Sequence, residues 1–201
     1  LTEEGMPTVF LDPLIKTLDF KKMTDKNMVN FLRNNLLNPS SPNPSVETLL
    51  HAFLPHKYID HTHSNAILSL VNLENSNNIL QKIFGNNLAI VPYVMPGFDL
   101  AKICYQIYNK NKKVEGLLLL NHGIFTFAET AEESYNRMIK YVTLAENYIK
   151  KSKFKSKRIN TFNKKNHNFN IGKLQNYLRK TYYNIAKTKW IIKYHGTKED
   201  I

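Results

Sequence analysis

Apolar residues along this chain recur at two spacings, and the switches between them mark out its elements. After Thr24, Met28, Phe31, Leu32 and Leu36 fall three and four residues apart, the period of an amphipathic helix running to about Asn38, with Thr24 placed to cap it. Asn38–Ser45 (NPSSPNPS) carries three prolines and reads as a turn-rich loop. Val46–Leu54 follows as a short helix stopped by Pro55. From Lys57 to His63 the period drops to two: Tyr58, Asp60 and Thr62 alternate with Ile59, His61 and His63, as in a strand. Ser64 can cap a helix over Asn65–Val71, and a second helix, Ile79–Phe84, ends at Gly85. Leu88–Val94 is an apolar strand, Pro96-Gly97 a turn and Asp99–Tyr108 an amphipathic helix. Glu115–Asn121, with four leucines in a row, is a buried strand broken by His122-Gly123. Ile124–Ala128 is a further strand, paired with it as a hairpin. Thr130 to Glu133 forms a capping box that opens a long helix to about Lys150. Ile171–Ala186 reads as a helix and Lys189–Tyr194 as a strand, while Leu1–Phe20 has no decisive period. Strands alternating with helices predict an α/β protein.

Charge divides the chain in two. All 201 residues together carry a net charge of +12, which at first points to nucleic acid. Residues 1–149 hold 13 Lys+Arg against 14 Asp+Glu, whereas residues 150–201 hold 15 against 2. The excess therefore belongs to the tail. Lys150–Asn170 is too polar to bury a core and reads as a solvated linker. Nucleic acid is accordingly not the expected partner. The domain division that follows is 1–149 as one partial domain, and 150–201 as a basic linker with the start of a further, truncated domain. The longest apolar run, Leu117–Leu120, is far short of the roughly 20 residues of a membrane-spanning helix. No secretory signal pattern opens the chain. The single cysteine, Cys104, excludes an internal disulfide and a cysteine-based zinc site, and it fits a reducing, cytoplasmic setting. The chain opens on Leu1 rather than Met, which reads as a processed chain or, better, a fragment of a longer one.

Three histidines and one carboxylate carry the candidate chemistry. His61 and His63 are two apart on a strand and so share a face, the arrangement by which two imidazoles converge on a metal ion. With seven histidines in the chain such a pair is near what chance supplies, and two core imidazoles paired with backbone would look the same. His122 strengthens the case. It ends a buried strand, and Gly123 beside it permits close backbone approach, although a turn residue is the plain alternative. Three neutral imidazoles with an open position make a catalytic zinc pattern. Glu47 sits on the first turn of a helix, where the helix dipole favours its ionised form; its plain role is to support that helix. His51, four residues on, either braces Glu47 or packs in the core. Ser45 is either an N-cap or part of an anion seat at the helix start.

The segments PSVETLLHAFLPHKYIDHTHSNAILSL, VPYVMPGFDLAK and EGLLLLNHGIFTFAETAEESYNRMIKYVTLAE, within Met23–Ile149, resemble the class II aldolase/adducin family. They are most similar to the aldolase half of the bifunctional rhamnulose-1-phosphate aldolase/short-chain dehydrogenase proteins. The order P-S-x-E, H-x-H, N-H-G is specific where each motif alone is not. The resemblance implies an αβα fold with a central, mostly antiparallel sheet flanked by helices, its N-terminal part missing. It implies zinc held by His61, His63 and His122, with Glu47 as the acid/base residue and Ser45 helping to seat a substrate phosphate. Val46 stands where relatives carry a second serine, one hydroxyl fewer for that phosphate. The family's Gly-Asn-rich phosphate loop is not found here, and no G-x-G-x-x-G marks a nucleotide site. The function implied is zinc-dependent cleavage of a ketose 1-phosphate, such as rhamnulose 1-phosphate, to dihydroxyacetone phosphate and an aldehyde such as lactaldehyde. The same family offers a zinc-dependent sugar-phosphate epimerase or dehydratase, and an adducin-like binding module that needs no metal. It also implies a homo-oligomer with active sites at subunit contacts.

Overall fold

A computed structural model describes residues 5–152, together with Tyr177, Leu178 and Lys180, which are helical. The chain divides into two units, Leu1–Phe154 and Lys155–Ile201. The expected linker beyond Ser152, most of the expected helix over Ile171–Ala186 and the expected strand over Lys189–Tyr194 lie outside the described residues.

Among the described residues of the first unit there are seven α-helices and four strands. In chain order they are α1 (Leu11–Lys16), α2 (Asp25–Asn34), α3 (Thr48–Phe53), β1 (Tyr58–Thr62), α4 (Asn65–Val71), α5 (Asn77–Phe84), β2 (Leu88–Val91), α6 (Phe98–Lys110), β3 (Gly116–Leu119), β4 (Gly123–Ala128) and α7 (Ala131–Lys151). A 3-10 turn, Thr17–Asp19, extends α1. The caps fall where the polar residues predict them. Thr24, Ser64 and Thr130 each accept a hydrogen bond from the backbone N–H three residues on, at 3.2–3.3 Å. The glutamate of the expected capping box does not reach back: Glu133 instead pairs with Arg137 one turn later, at 2.5 Å.

The sheet runs in the order β1-β4-β3-β2. β4 pairs antiparallel with both β1 and β3, and β2 pairs parallel with β3. This is the mostly antiparallel sheet expected, and the Gly116–Leu119 and Gly123–Ala128 hairpin is formed. β4, in the middle, is buried along its whole length. Its side chains alternate between two cores. Phe125 and Phe127 join Leu117 and Leu119 in a cluster roofed by residues of α1, α2, α3 and α6. Ile124 and Leu118 join the other cluster, with residues of α4, α5 and α7. Helices on both faces of one sheet make the αβα layering. Thr126 faces that second core with a hydroxyl, which donates to the Ser134 carbonyl at 3.1 Å, so the buried polar group is paired.

The segment without a decisive period forms α1. Leu14 is buried in the first core, and Val9 bridges Leu36. A signal was present: Leu11, Leu14, Ile15 and Leu18 follow helical spacing, with Pro13 in the first turn. Strand Leu88–Val94 is shorter than expected and stops at Val91, before Pro92. None of the described helices is long and apolar enough to cross a membrane.

Candidate metal centre

Three segments bring Glu47, His61, His63 and His122 to one end of the sheet. Glu47 ends the proline-rich loop and immediately precedes α3, with φ −90° and ψ −2°. The expectation placed it on the first turn of a helix starting at Val46; α3 begins one residue past it, at Thr48. Ser45, exposed, organises this start. Its hydroxyl accepts from the Glu47 N–H at 3.1 Å and its carbonyl from the Thr48 N–H at 3.0 Å. His61 is on β1, and His63 lies one residue beyond the strand end, on the same side. His122 sits in the turn between β3 and β4. There Asn121 adopts a left-handed conformation, φ 55°, which asparagine tolerates better than most residues. Gly123 then leads β4 directly beneath the rings. A Cβ on Gly123 would fall 2.7 Å from the Thr62 carbonyl oxygen, 2.8 Å from His63 Cδ2 and 3.2 Å from His61 Cε1. Only glycine allows that approach.

The three imidazoles stand steeply to one another, with centroids 4.6 Å (His61–His63), 4.9 Å (His63–His122) and 5.3 Å (His61–His122) apart. His61 Nε2 and His63 Nε2 are 2.9 Å apart. Glu47 Oε1 lies 2.6 Å from His122 Nε2 and 3.5 Å from His61 Nε2. One ligand atom from each residue lies within 4.8 Å of all the others. The tautomer of His61 is set by its other nitrogen. Nδ1 lies 2.9 Å from the Ile124 carbonyl oxygen, which can only accept, so Nδ1 donates and Nε2 presents a lone pair. Burial pushes the His61 pKa down to about 4, so the ring is neutral near pH 7. The Glu47 carboxyl is held below its ordinary value. Contact with His122 lowers it first, burial opposes, and the charges of His61, His122 and His63 add to the lowering.

These groups fit a cation. Glu47 Oε1 is buried and, despite its closeness to His122, makes no properly directed hydrogen bond. A buried carboxylate oxygen without a directed hydrogen bond, near the His61 lone pair, is costly unless something electrophilic shares them. Three imidazole nitrogens and one carboxylate oxygen form a donor set suited to a divalent transition ion. The cluster can therefore hold a divalent metal ion.

His51 does not reach the four. It packs against Phe125, ring centroids 5.4 Å apart at 66°, and burial lowers its pKa. Phe125 was not singled out from the sequence, yet it stacks on His61 at 3.9 Å and 11°. The pairing of His61 with Phe125 across β1 and β4 explains this, and it becomes visible only once the register is known. His56 is engaged elsewhere, stacked on Phe127 with Nδ1 3.0 Å from Glu129 Oε1.

Comparison with known proteins agrees with this fold. Residues 15–149 match the family described as Class II Aldolase and Adducin N-terminal domain. The chain belongs to that family. It is 42% identical over 145 residues to a Bacillus subtilis (strain 168) protein named "Uncharacterized oxidoreductase YuxG"; the match takes in 72% of this chain and only 21% of that protein. Among solved structures, the N-terminal class II aldolase domain of a conserved protein from Thermoplasma acidophilum is 41% identical, with a TM-score of 0.69 over 74% of this chain and 68% of that one. A sugar-phosphate aldolase from Thermotoga maritima, 21% identical with a TM-score of 0.50 over 58% of this chain and 57% of that one, shares the fold.

Proposed function

We propose that this chain is the aldolase part of a zinc-dependent carbon–carbon lyase that cleaves a ketose 1-phosphate, such as rhamnulose 1-phosphate, to dihydroxyacetone phosphate and an aldehyde such as lactaldehyde. One observation carries the reading: the ligand atoms of Glu47, His61, His63 and His122 converge within 4.8 Å. His61, His63 and His122 hold the ion, with Glu47 beside it. When bound, the ion supplies Lewis-acid polarisation of the ketose carbonyl. In the cleavage the C3–C4 bond breaks and its electron pair stays with the three-carbon phosphate half. The C4 hydroxyl loses its proton as it becomes the aldehyde, and a proton is returned at C3. Glu47 moves that proton, being the only carboxylate of the four. Its depressed pKa keeps it ionised and ready to accept. Ser45, at the exposed turn before Glu47, helps to seat the substrate phosphate.

Residues 1–149 make up the aldolase domain, and residues 150–201 lead toward a further domain. The match to 21% of a protein named as an oxidoreductase supports a dehydrogenase fusion. The buried free thiol of Cys104 is in keeping with a cytoplasmic setting, and the family resemblance with a homo-oligomer.

The test is the metal content of the purified chain beside a His61→Ala/His63→Ala variant, followed by NMR of the products formed from ketose 1-phosphates. About one zinc per chain, lost in the variant, is expected. A metal-free wild-type chain that is folded by circular dichroism overturns the reading in favour of a binding module. An epimerised or dehydrated product in place of two three-carbon fragments keeps the metal site and overturns the lyase.

A further inference from the structure

A metal ligand must be aimed as well as present, and His61 is aimed on two sides. Its Nδ1 donates to the Ile124 carbonyl, which fixes the tautomer and one point of the ring. That single bond leaves the ring free to tilt about it. The plane is set by Phe125, fully buried, whose ring lies parallel to the imidazole at 3.9 Å and 11°. Phe125 is itself held edge-on by His51, at 5.4 Å and 66°. Such tilted contacts are favoured because the edge of one ring is electropositive and the face of the other electronegative. His51 belongs to α3, the helix that begins just after Glu47. The chain Glu47–α3–His51–Phe125–His61 thus ties the carboxylate and one imidazole of the cluster together through packed rings.

We infer that His51 and Phe125 are positioning residues: an aromatic brace that sets the plane of His61 and its spacing from Glu47. This rests on reading the four side chains as a metal site. Burial lowers the His51 pKa and so favours the neutral ring in this apolar contact. The other histidine near this region, His56, stacks on Phe127 and faces Tyr108 and Glu129, so it does not duplicate the role. Only a ring at position 51 is called for, and no proton transfer. A phenylalanine there should therefore serve, whereas a truncated side chain should not.

Truncation at His51 is a usable experiment because the residue already lines a surface cavity of about 420 Å³ with Leu14, Ala52 and Ile59. His51→Ala enlarges that cavity rather than opening a void inside the core. The measurement is affinity for zinc by competition with a chromophoric chelator, and the visible absorption of the cobalt(II)-loaded chain, which reports ligand geometry. His51→Ala is expected to bind zinc about 10- to 100-fold more weakly, the usual loss when an outer partner of a ligand is removed, with altered cobalt bands. His51→Phe is expected to restore both. Phe125→Leu, if it folds, should match His51→Ala or exceed it. Wild-type affinity and an unchanged cobalt spectrum in His51→Ala overturn the brace while leaving the metal site standing. A loss in His51→Phe equal to that in His51→Ala also overturns it, since the ring alone would then not suffice. A wild-type chain that binds neither ion overturns the metal site, and the brace with it.

Discussion

Glu47 and Glu115 are both partly buried carboxylates held below their ordinary pKa because close contacts and nearby charge outweigh burial, and they differ in which groups make those contacts. At Glu115 burial pushes the value up, and hydrogen bonds from Tyr141 and Lys140, with the charges of Lys140 and Arg137, outweigh it. Every contact there is a donor to an acceptor: Lys140 Nζ at 2.9 Å and the Tyr141 hydroxyl both donate to Oε2. The pair ties the start of β3 to α7 and leaves nothing unsatisfied among the buried atoms. The Glu47 carboxylate has neither a lysine nor a hydroxyl bonded to it among the described residues; its closest contact is His122 Nε2, at 2.6 Å. Its neighbours are imidazoles, one of which, His61, is kept neutral, and its Oε1 is left without a directed hydrogen bond. A shifted pKa alone therefore does not separate a structural carboxylate from a functional one. What separates them is whether the surrounding groups already complete the carboxylate or leave it needing a further partner.

Paired substitutions put the largest strain on that contrast. Glu47→Gln is expected to keep metal and fold but lower turnover about 10²- to 10⁴-fold, the usual worth of a positioned proton-transfer group. Glu115→Gln is expected to leave turnover and metal content unchanged. Steady-state rates alongside metal analysis check both, and equal losses in the two variants would dissolve the distinction. Gly123→Ala comes next. Its Cβ would sit 2.7 Å from the Thr62 carbonyl, so β4 must shift away from the histidines. A stability loss of about 1–3 kcal/mol is expected, as for overpacking, together with weaker zinc binding. Denaturant midpoints and chelator competition measure the two effects.

Acid distinguishes the regions as well. His61 takes its proton only near pH 4 in the folded chain, against an ordinary value of 6.5. The unfolded chain therefore binds that proton first, and the metal-free protein should lose stability as pH falls from 6.5 towards 4. Glu115, lowered from 4.5, contributes stability that is present above that value and is lost as pH falls through its folded pKa. Thermal midpoints against pH should show both, and Glu115→Gln should flatten only the lower part. The smallest expected effect is the neutral-pH cost of Glu115→Gln. Losing a charge-assisted bond at a partly exposed site is worth about 1 kcal/mol. For a unit of this size that is a thermal midpoint lower by about 2–4 °C. A cost near zero would mean that solvent already screens the Glu115 pair.

Much of the scaffold was legible because its signals are local. Thr24, Ser64 and Thr130 cap helices through bonds spanning three residues; the stop of β2 at Pro92 was missed, although the signal was just as local. The site was legible only in outline. H-x-H declares a shared face because strand geometry has a period of two, so His61 and His63 could be paired from spacing alone. The link to His122 and Glu47 came from motif order, since nothing local joins residues 47, 61 and 122. Two particulars stayed hidden. Ser45 was read as an N-cap or an anion seat, yet the cap residue of α3 is Glu47 and Ser45 accepts from the Glu47 N–H in the turn before it, because the proline-rich loop sets where α3 can start. Phe125 looked like one more core aromatic, because its tie to His61 depends on which residue faces which across two strands.

The sequence by itself determined the alternation of helices and strands, the caps, the confinement of excess charge to residues 150–201 and, as candidates, the ligands His61, His63 and His122 with Glu47 as the acid/base residue. The first three follow from side-chain periodicity and composition, which need no distant partner, and the site residues from the order of motifs that the family resemblance supplied. Only the tertiary structure decided that β4 lies between β1 and β3, that Gly123 passes within a Cβ's reach of two imidazoles, and that His51 grips Phe125 behind His61. Those are matters of register and close packing, where a shift of one residue turns a side chain to the other face of the sheet.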